Sequence, residues 1–97
     1  MSEQVNHPSH YKQEGRKECI EEMRDVFGDA AVMTWCILNH YKYNYRKGTK
    51  EDNSLEQDIN KGNWYTAYAA KLNLTVSFGA ISRKVRKYFN SITNGKD

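Results

Sequence analysis

Asn39, Lys42, Tyr43 and Arg46 stand 0, 3, 4 and 7 positions along the chain, a spacing that puts all four on one face of a helix. Asp58, Lys61, Trp64 and Tyr65 follow with offsets of 0, 3, 6 and 7, so they too are nearly aligned. The stretch between them, Lys47 to Asn53, is rich in charge and carries a turn glycine, Gly48. Two helices joined by a short polar loop tend to lie antiparallel. An amide, several cations, a carboxylate and aromatic rings would then converge. Such a set suits a flat, polar, anionic ligand, and a nucleotide has these properties.

Phosphate would have to be held without a P-loop. Gly48-Thr-Lys50 has the glycine and lysine in the wrong order, and no strand precedes it. The candidates are therefore the side chains of Lys42, Arg46, Lys47, Lys50 and Lys61, or a helix N-terminus near Ser54. Asp58 lies beside an apolar stripe. It either pairs with Arg46 or Lys42 across the hairpin, or it orients a ligand or accepts a proton. Near the start of the chain, His7-Pro-Ser-His10-Tyr11 is too polar and aromatic for a plain linker, and Pro8 keeps His7 out of the helical region. Such an arm can lay two imidazoles and a phenol over a neighbouring surface.

Metal chemistry finds little support. His7, His10, Cys19 and His40 match no zinc spacing. Glu18, Glu21, Glu22 and Asp25 have the E-x-x-E spacing that helical pyrophosphohydrolases use for magnesium, but the second acidic helix such enzymes need is missing. A solvated acidic face is the expectation, with no metal and no cofactor.

These residues need elements to position them. Ninety-seven residues make one domain. A chain of this size buries about 60–65% of its unfolded surface, so a second subunit would help it. Twelve aromatics (seven Tyr, three Phe, two Trp) offset the modest 38% hydrophobic content. Periodicity predicts an all-α fold: an extended arm over 1–13, a single helical domain over 14–93 and a frayed tail over 94–97. Helix one starts near Gln13 and carries Cys19, Ile20, Met23, Val26 and Phe27 as its apolar face. Gly28 stops it and Asp29 caps the next. Helix two spans Ala30 to Lys47 with Val32, Trp35, Cys36, Asn39, Tyr43 and Arg46 as one stripe, while Tyr41 and Tyr45 face a second subunit. Helix three begins at Ser54 in a capping-box pattern with Gln57, and Leu55, Ile59, Gly62, Thr66, Ala69 and Leu72 form its core stripe. After a break at Asn73-Leu74-Thr75, helix four covers 76–92 with Phe78, Ile81, Val85, Tyr88, Phe89 and Ile92 inward and Arg83, Lys84, Arg86 and Lys87 outward.

Charge divides the chain. The formal net charge is +3, yet residues 1–40 sum to −3 and residues 41–97 to +6. The basic half attracts phosphate or an acidic protein. Direct nucleic-acid binding is not expected, because the basic face of helix four lacks interleaved aromatics and no helix-turn-helix spacing is present. Cys19 and Cys36 both sit among apolar residues and read as buried free thiols. No signal peptide, membrane-spanning run or lipidation motif is visible, which leads us to expect a cytosolic protein.

Four motifs in order carry a family resemblance. They are Val5-Asn-His7-Pro8-Ser9-His10-Tyr11, Glu18-Cys19-Ile20, Asn39-x-x-Lys42-Tyr43-x-x-Arg46-x-Gly48-x-Lys50, and Asp58-x-x-Lys61-x-x-Trp64-Tyr65. Together they span about residues 5–68 and resemble the SaV-like family of small phage proteins, a domain of unknown function. The resemblance implies a virus-encoded protein in a host bacterial cytoplasm. Some family members are similar to a phage kinase that phosphorylates deoxynucleoside monophosphates without a P-loop, as a high oligomer. Others are linked to host defence. The positions the resemblance marks are His7, Ser9, His10, Tyr11, Asn39, Lys42, Arg46, Lys50, Asp58, Lys61, Trp64 and Tyr65. His40, Tyr45 and Gly62 depart from the family pattern, which often has a small apolar residue, Trp and Ala at those positions, and residues 76–92 lie outside it.

The combined expectation is an oligomeric, nucleotide-binding protein. Lys42, Arg46 and Lys61 would hold phosphates and Trp64 or Tyr65 would stack on a base. Asn39 and Asp58 would read polar edges while the His7–Tyr11 arm closes the site, with Asp58 and His10 the candidates for proton transfer. Such a protein is either a nucleoside monophosphate kinase-like enzyme or a sponge that sequesters a nucleotide signal of host defence. The alternative is a non-enzymatic adaptor that binds a host defence protein through the basic C-terminal helix and exposed tyrosines.

Overall fold

A computed structural model describes residues 18–47 and 55–94. It contains α1 (Cys19–Phe27), α2 (Asp29–Arg46), α3 (Leu55–Asn73) and α4 (Arg83–Asn94), with one 3-10 turn, Phe78–Ala80, ahead of α4. No strand occurs among the described residues, so the all-α class read from the periodicity holds. The arm over 1–13, the first residues of helix one and the Gly48 loop lie outside the described residues.

Between α1 and α2 the chain turns on a single residue. Gly28 has φ +93°, a region that side chains with a Cβ avoid, and its N–H closes α1 on the Arg24 carbonyl at 2.9 Å. Asp29 is the first residue of α2, not its cap. Its carboxylate reaches back across the turn to Arg24 in a two-point pair, Nε to Oδ1 at 2.8 Å and Nη2 to Oδ2 at 3.2 Å. Thr75, in the α3–α4 connection, donates to Asp29 Oδ2 at 3.2 Å. One carboxylate thus ties together α1, α2 and the far connection.

The centre of the domain is the α2–α3 hairpin. Arg46 meets Asp58, Tyr43 meets Tyr65, and His40 meets Gly62 and Thr66. Partner numbers rise on α3 as they fall on α2, which is the signature of antiparallel helices. Val32, Met33, Cys36 and Ile37 from α2 pack with Ala69 and Leu72 from α3, and Ile81 and Phe89 complete the core. Fully burying an aliphatic or aromatic side chain stabilises by roughly 1.5–3 kcal/mol. With so few fully buried residues, each matters.

The stripes differ in phase from those expected. Met33 and Ile37 are fully buried, whereas Trp35 is 39% exposed. Helix two carries apolar or aromatic residues around most of its circumference, so periodicity alone does not fix which face turns inward. On α3 the buried line runs through Asp58, Gly62, Ala69 and Leu72, and Leu55 and Ile59 are exposed. Helix α1 contributes no fully buried residue; Ile20 and Met23 pack partly on the core while Val26 and Phe27 are exposed. Cys36 is buried as expected, but Cys19 is exposed.

The last helix starts later than its apolar pattern suggests. The N–H groups of Thr75 and Val76 both bond the Leu72 carbonyl, at 3.0 and 3.1 Å, which winds the chain off α3. Ile81 is extended (φ −116°, ψ 138°), and the Ser82 carbonyl takes the Arg86 N–H at 2.8 Å to open α4. Phe78 consequently lies outside the helix and is exposed, while Arg86 turns inward.

Candidate functional site

The ring of Tyr43 is the point on which the cations converge. Lys42 Nζ lies 4.6 Å from its centroid, Arg46 Cζ 5.1 Å and Lys61 Nζ 5.5 Å. Two of these cations come from α2 and one from α3, so only the hairpin brings them together. Each sits within the ~6 Å range in which a ring quadrupole attracts a cation. Tyr43 was part of the sequence stripe but absent from the candidate ligand-binding residues. The signal available for it was its place between Lys42 and Arg46.

Asp58 is the carboxylate of this cluster and is 1% exposed. Its Oδ1 stands 4.0 Å from Arg46 Nε, so the cross-hairpin pairing with Arg46 considered from the sequence is present. Buried on the core line of α3, Asp58 sits against Arg46 and offers no surface to a ligand. Lys42 and Lys61 have no ion-pair partner among the described residues, and the cluster carries a local excess of positive charge. An anion approaching it meets three cations against one shielded carboxylate.

Around the cations runs a ladder of rings. Tyr65 stacks on Tyr43 with centroids 5.9 Å apart and planes 14° from parallel. Trp35 and Trp64 both approach Tyr65 edge-on, at 5.4 and 5.2 Å. Trp64 in turn stacks on Tyr68 at 5.3 Å, and Lys71 Nζ lies 5.0 Å from the Tyr68 ring. Tyr65 is hemmed in by three rings. Trp64, half-buried, is the better platform of the two for a flat ligand. Asn39 is turned to its own helix, donating from Nδ2 to the Trp35 carbonyl at 2.9 Å.

Lys42, Arg46, Asp58, Lys61, Trp64 and Tyr65 are therefore brought to one end of the hairpin, with Asn39 a turn away on the same helix. His7, Ser9, His10, Tyr11 and Lys50 lie outside the described residues. His10, the second proton-transfer candidate, is among these residues. The acidic residues of α1 line a separate groove of about 300 Å³ made by Glu21, Arg24, Asp25 and Asp29. The Arg24 guanidinium holds the Asp29 carboxyl below the usual carboxylate range. Among the described residues no three His, Cys, Asp or Glu side chains are grouped to hold a metal ion. No described helix is long and apolar enough to cross a membrane.

Comparison with known proteins adds one relation. No curated protein and no solved structure matches the chain. A family model described as a protein of unknown function, DUF3310, matches residues 5–67, which takes in α1, α2 and the part of α3 that carries Asp58, Lys61, Trp64 and Tyr65. The hairpin with its cationic end lies inside the matched region and α4 lies outside it. The chain belongs to the DUF3310 family.

Proposed function

We propose that this protein binds a nucleotide at the cationic end of the α2–α3 hairpin. The observation that carries the reading is the convergence of Lys42, Arg46 and Lys61 on Tyr43 with Asp58 buried behind them. Lys42 and Lys61 take phosphate oxygens, Arg46 is aimed by Asp58, and Trp64 stacks on the base. The arm with His7, Ser9, His10 and Tyr11, together with Lys50, completes the site in this proposal. The setting is a phage-encoded homo-oligomer in a bacterial host cytoplasm, as the resemblance of the four motifs implies. Two activities fit such a site. Phosphoryl transfer needs a second substrate aligned with the first and charge stabilisation by the cations. Sequestration of a host-defence nucleotide needs affinity alone.

The test is native mass spectrometry of the protein mixed with mono-, tri- and cyclic nucleotides. Retention of one species by the wild type, and its loss in the Lys42→Ala/Lys61→Ala variant, supports the site. Conversion of the ligand points to an enzyme, and unchanged retention to a sponge. A wild type indifferent to the whole panel overturns the reading.

A second reading has its own observation. Arg83, Lys84 and Lys87 are exposed on α4, and Tyr41 and Tyr45 are exposed on α2. Such a surface suits an acidic host protein. Charge reversal at Arg83 and Lys87 would then abolish function while Lys42→Ala leaves it intact.

A further inference from the structure

Arg86 is only 6% exposed. Its Nη1 donates to Asn73 Oδ1 at 2.7 Å, and its Cζ lies 4.9 Å from the centroid of the Phe78 ring. Nε and Nη2 are buried and make no hydrogen bond among the described residues. These two groups form the side-on edge of the guanidinium, the edge that matches two oxygens of one oxyanion. An arginine cannot shed its charge by losing a proton, and a buried charge without a counter-charge is costly. Asn73 offers a neutral amide oxygen, which relieves one donor and leaves the charge.

The place of Arg86 in the fold sharpens the point. It lies in the first turn of α4, a helix of 12 residues. Side chains lean towards the N-terminus of their helix, and both partners of the guanidinium, Asn73 and Phe78, precede α4. The group is therefore aimed at the N-terminal end, where backbone N–H groups lack intrahelical acceptors and the helix dipole is positive. That end normally attracts acidic residues. Here the first turn has none, and Arg83 and Lys84 stand there with Arg86. A single bound anion satisfies both the buried guanidinium and the positive helix end.

We propose that the N-terminal end of α4 is a phosphoryl-anion site, separate from the Tyr43 cluster and anchored by Arg86. Two oxygens sit side-on at Nε and Nη2, and a third faces the N–H groups of the first turn. A tetrahedral phosphoryl anion carries a third oxygen beyond the pair held side-on, which a planar carboxylate lacks. Arg83 and Lys84 raise the local anion concentration. Phe78, itself 69% exposed, lies against the guanidinium without being one of its hydrogen-bond partners. The phosphoryl group comes either from free phosphate or from a nucleotide.

The Arg86 Nε–H resonance of the full-length, nitrogen-15-labelled chain reports the site directly. It should move saturably with inorganic phosphate at constant ionic strength, and in Arg86→Lys the backbone amides of Arg83 and Lys84 should report an apparent affinity weaker by about tenfold or more. A matching shift with AMP makes a nucleotide the source, and a shift with phosphate alone makes it free phosphate. Phe78→Ala should keep the response. If Arg86→Lys does not fold, Arg83→Gln/Lys84→Gln at exposed positions should weaken binding several-fold. In the Lys42→Ala/Lys61→Ala variant the Arg86 response should persist; its loss there would assign the anion to the Tyr43 cluster and overturn the proposal. An Arg86 resonance that does not saturate, or that responds equally to acetate, overturns it too.

Discussion

His40 lies tightly against the place where a side chain at Gly62 would stand. Its Nδ1 lies 3.3 Å from where a Cβ on residue 62 would stand, and bonds the Gly62 carbonyl at 3.0 Å. A carbonyl only accepts, so this bond is made by the tautomer that carries its proton on Nδ1. Thr66 adds to it, with Oγ1 2.7 Å from the same nitrogen and 3.1 Å from the same carbonyl. The mid-helix glycine is thus explained by close approach.

A sign change follows. Gly62→Ala gains about 1 kcal/mol of helix propensity, but in the wild type the imidazole must give by a few tenths of an ångström against its hydrogen bonds to Gly62 and Thr66. Urea melts should show a net loss of stability. In a His40→Ala background the same substitution should instead stabilise by about 1 kcal/mol. Stabilisation in both backgrounds would mean that the contact does not limit residue 62.

Asp29 predicts the acid limb of stability. Arg24, through its two-point pair, holds the Asp29 carboxyl below its ordinary value, and Thr75 helps. A carboxyl whose folded value is depressed contributes stability that is complete above its unfolded pKa of about 3.9 and is lost as pH falls through the lower folded value. Asp29→Asn should lower the melting temperature at pH 7. The gap between the two proteins should narrow as pH falls below about 4 towards the folded value, and thermal melts along an acid series check it.

The thiols should separate by kinetics. Burial pushes the Cys36 thiol up to about 12, so it carries almost no thiolate at pH 8, while Cys19 is exposed on α1. A disulfide reagent should titrate one thiol quickly and the other only after denaturant is added. Cys19→Ser should remove the fast phase. A fast phase that survives that change would place Cys36 within reach of solvent.

Arg46 has a structural duty besides any ligand. Arg46→Ala should cost about 1–3 kcal/mol by weakening the surroundings of the buried Asp58 carboxylate, and Arg46→Met/Asp58→Leu should recover much of that loss. Chemical denaturation of the wild type and the two variants decides it. Lys42 and Lys61, free of this burden among the described residues, are the cleaner probes of binding.

The helices and the hairpin were legible because apolar residues recur at the helical period and because Gly28 interrupts them. The inward face of α2 was not, since Trp35, Leu38, Tyr41 and Tyr45 give that helix a second apolar side as strong as the buried one. The helical period of Val76, Phe78 and Ile81 extends the expected helix beyond the true start of α4 at Arg83, and the Leu72 carbonyl that unwinds the chain has no side-chain signature. In the candidate site, Lys42, Arg46, Lys61 and Asp58 could be paired from spacing alone. That Asp58 is sealed beneath Arg46, and that Tyr65 is enclosed by other rings, depends on the rotation of α3, where Asp58 takes the inward position expected of Ile59.

The pairing of α2 with α3 also says how the chain reaches its folded state. The partners at its closed end, Arg46 and Asp58, are neighbours along the chain, so little loop entropy is lost in closing the hairpin. Topologies dominated by such near contacts fold quickly. The hairpin should form before α4 docks Ile81 and Phe89 onto it. Trimming Cys36 or Ala69 at the α2–α3 contact would then slow refolding, whereas Phe89→Leu would chiefly hasten unfolding, the two limbs of a chevron reporting the order of assembly.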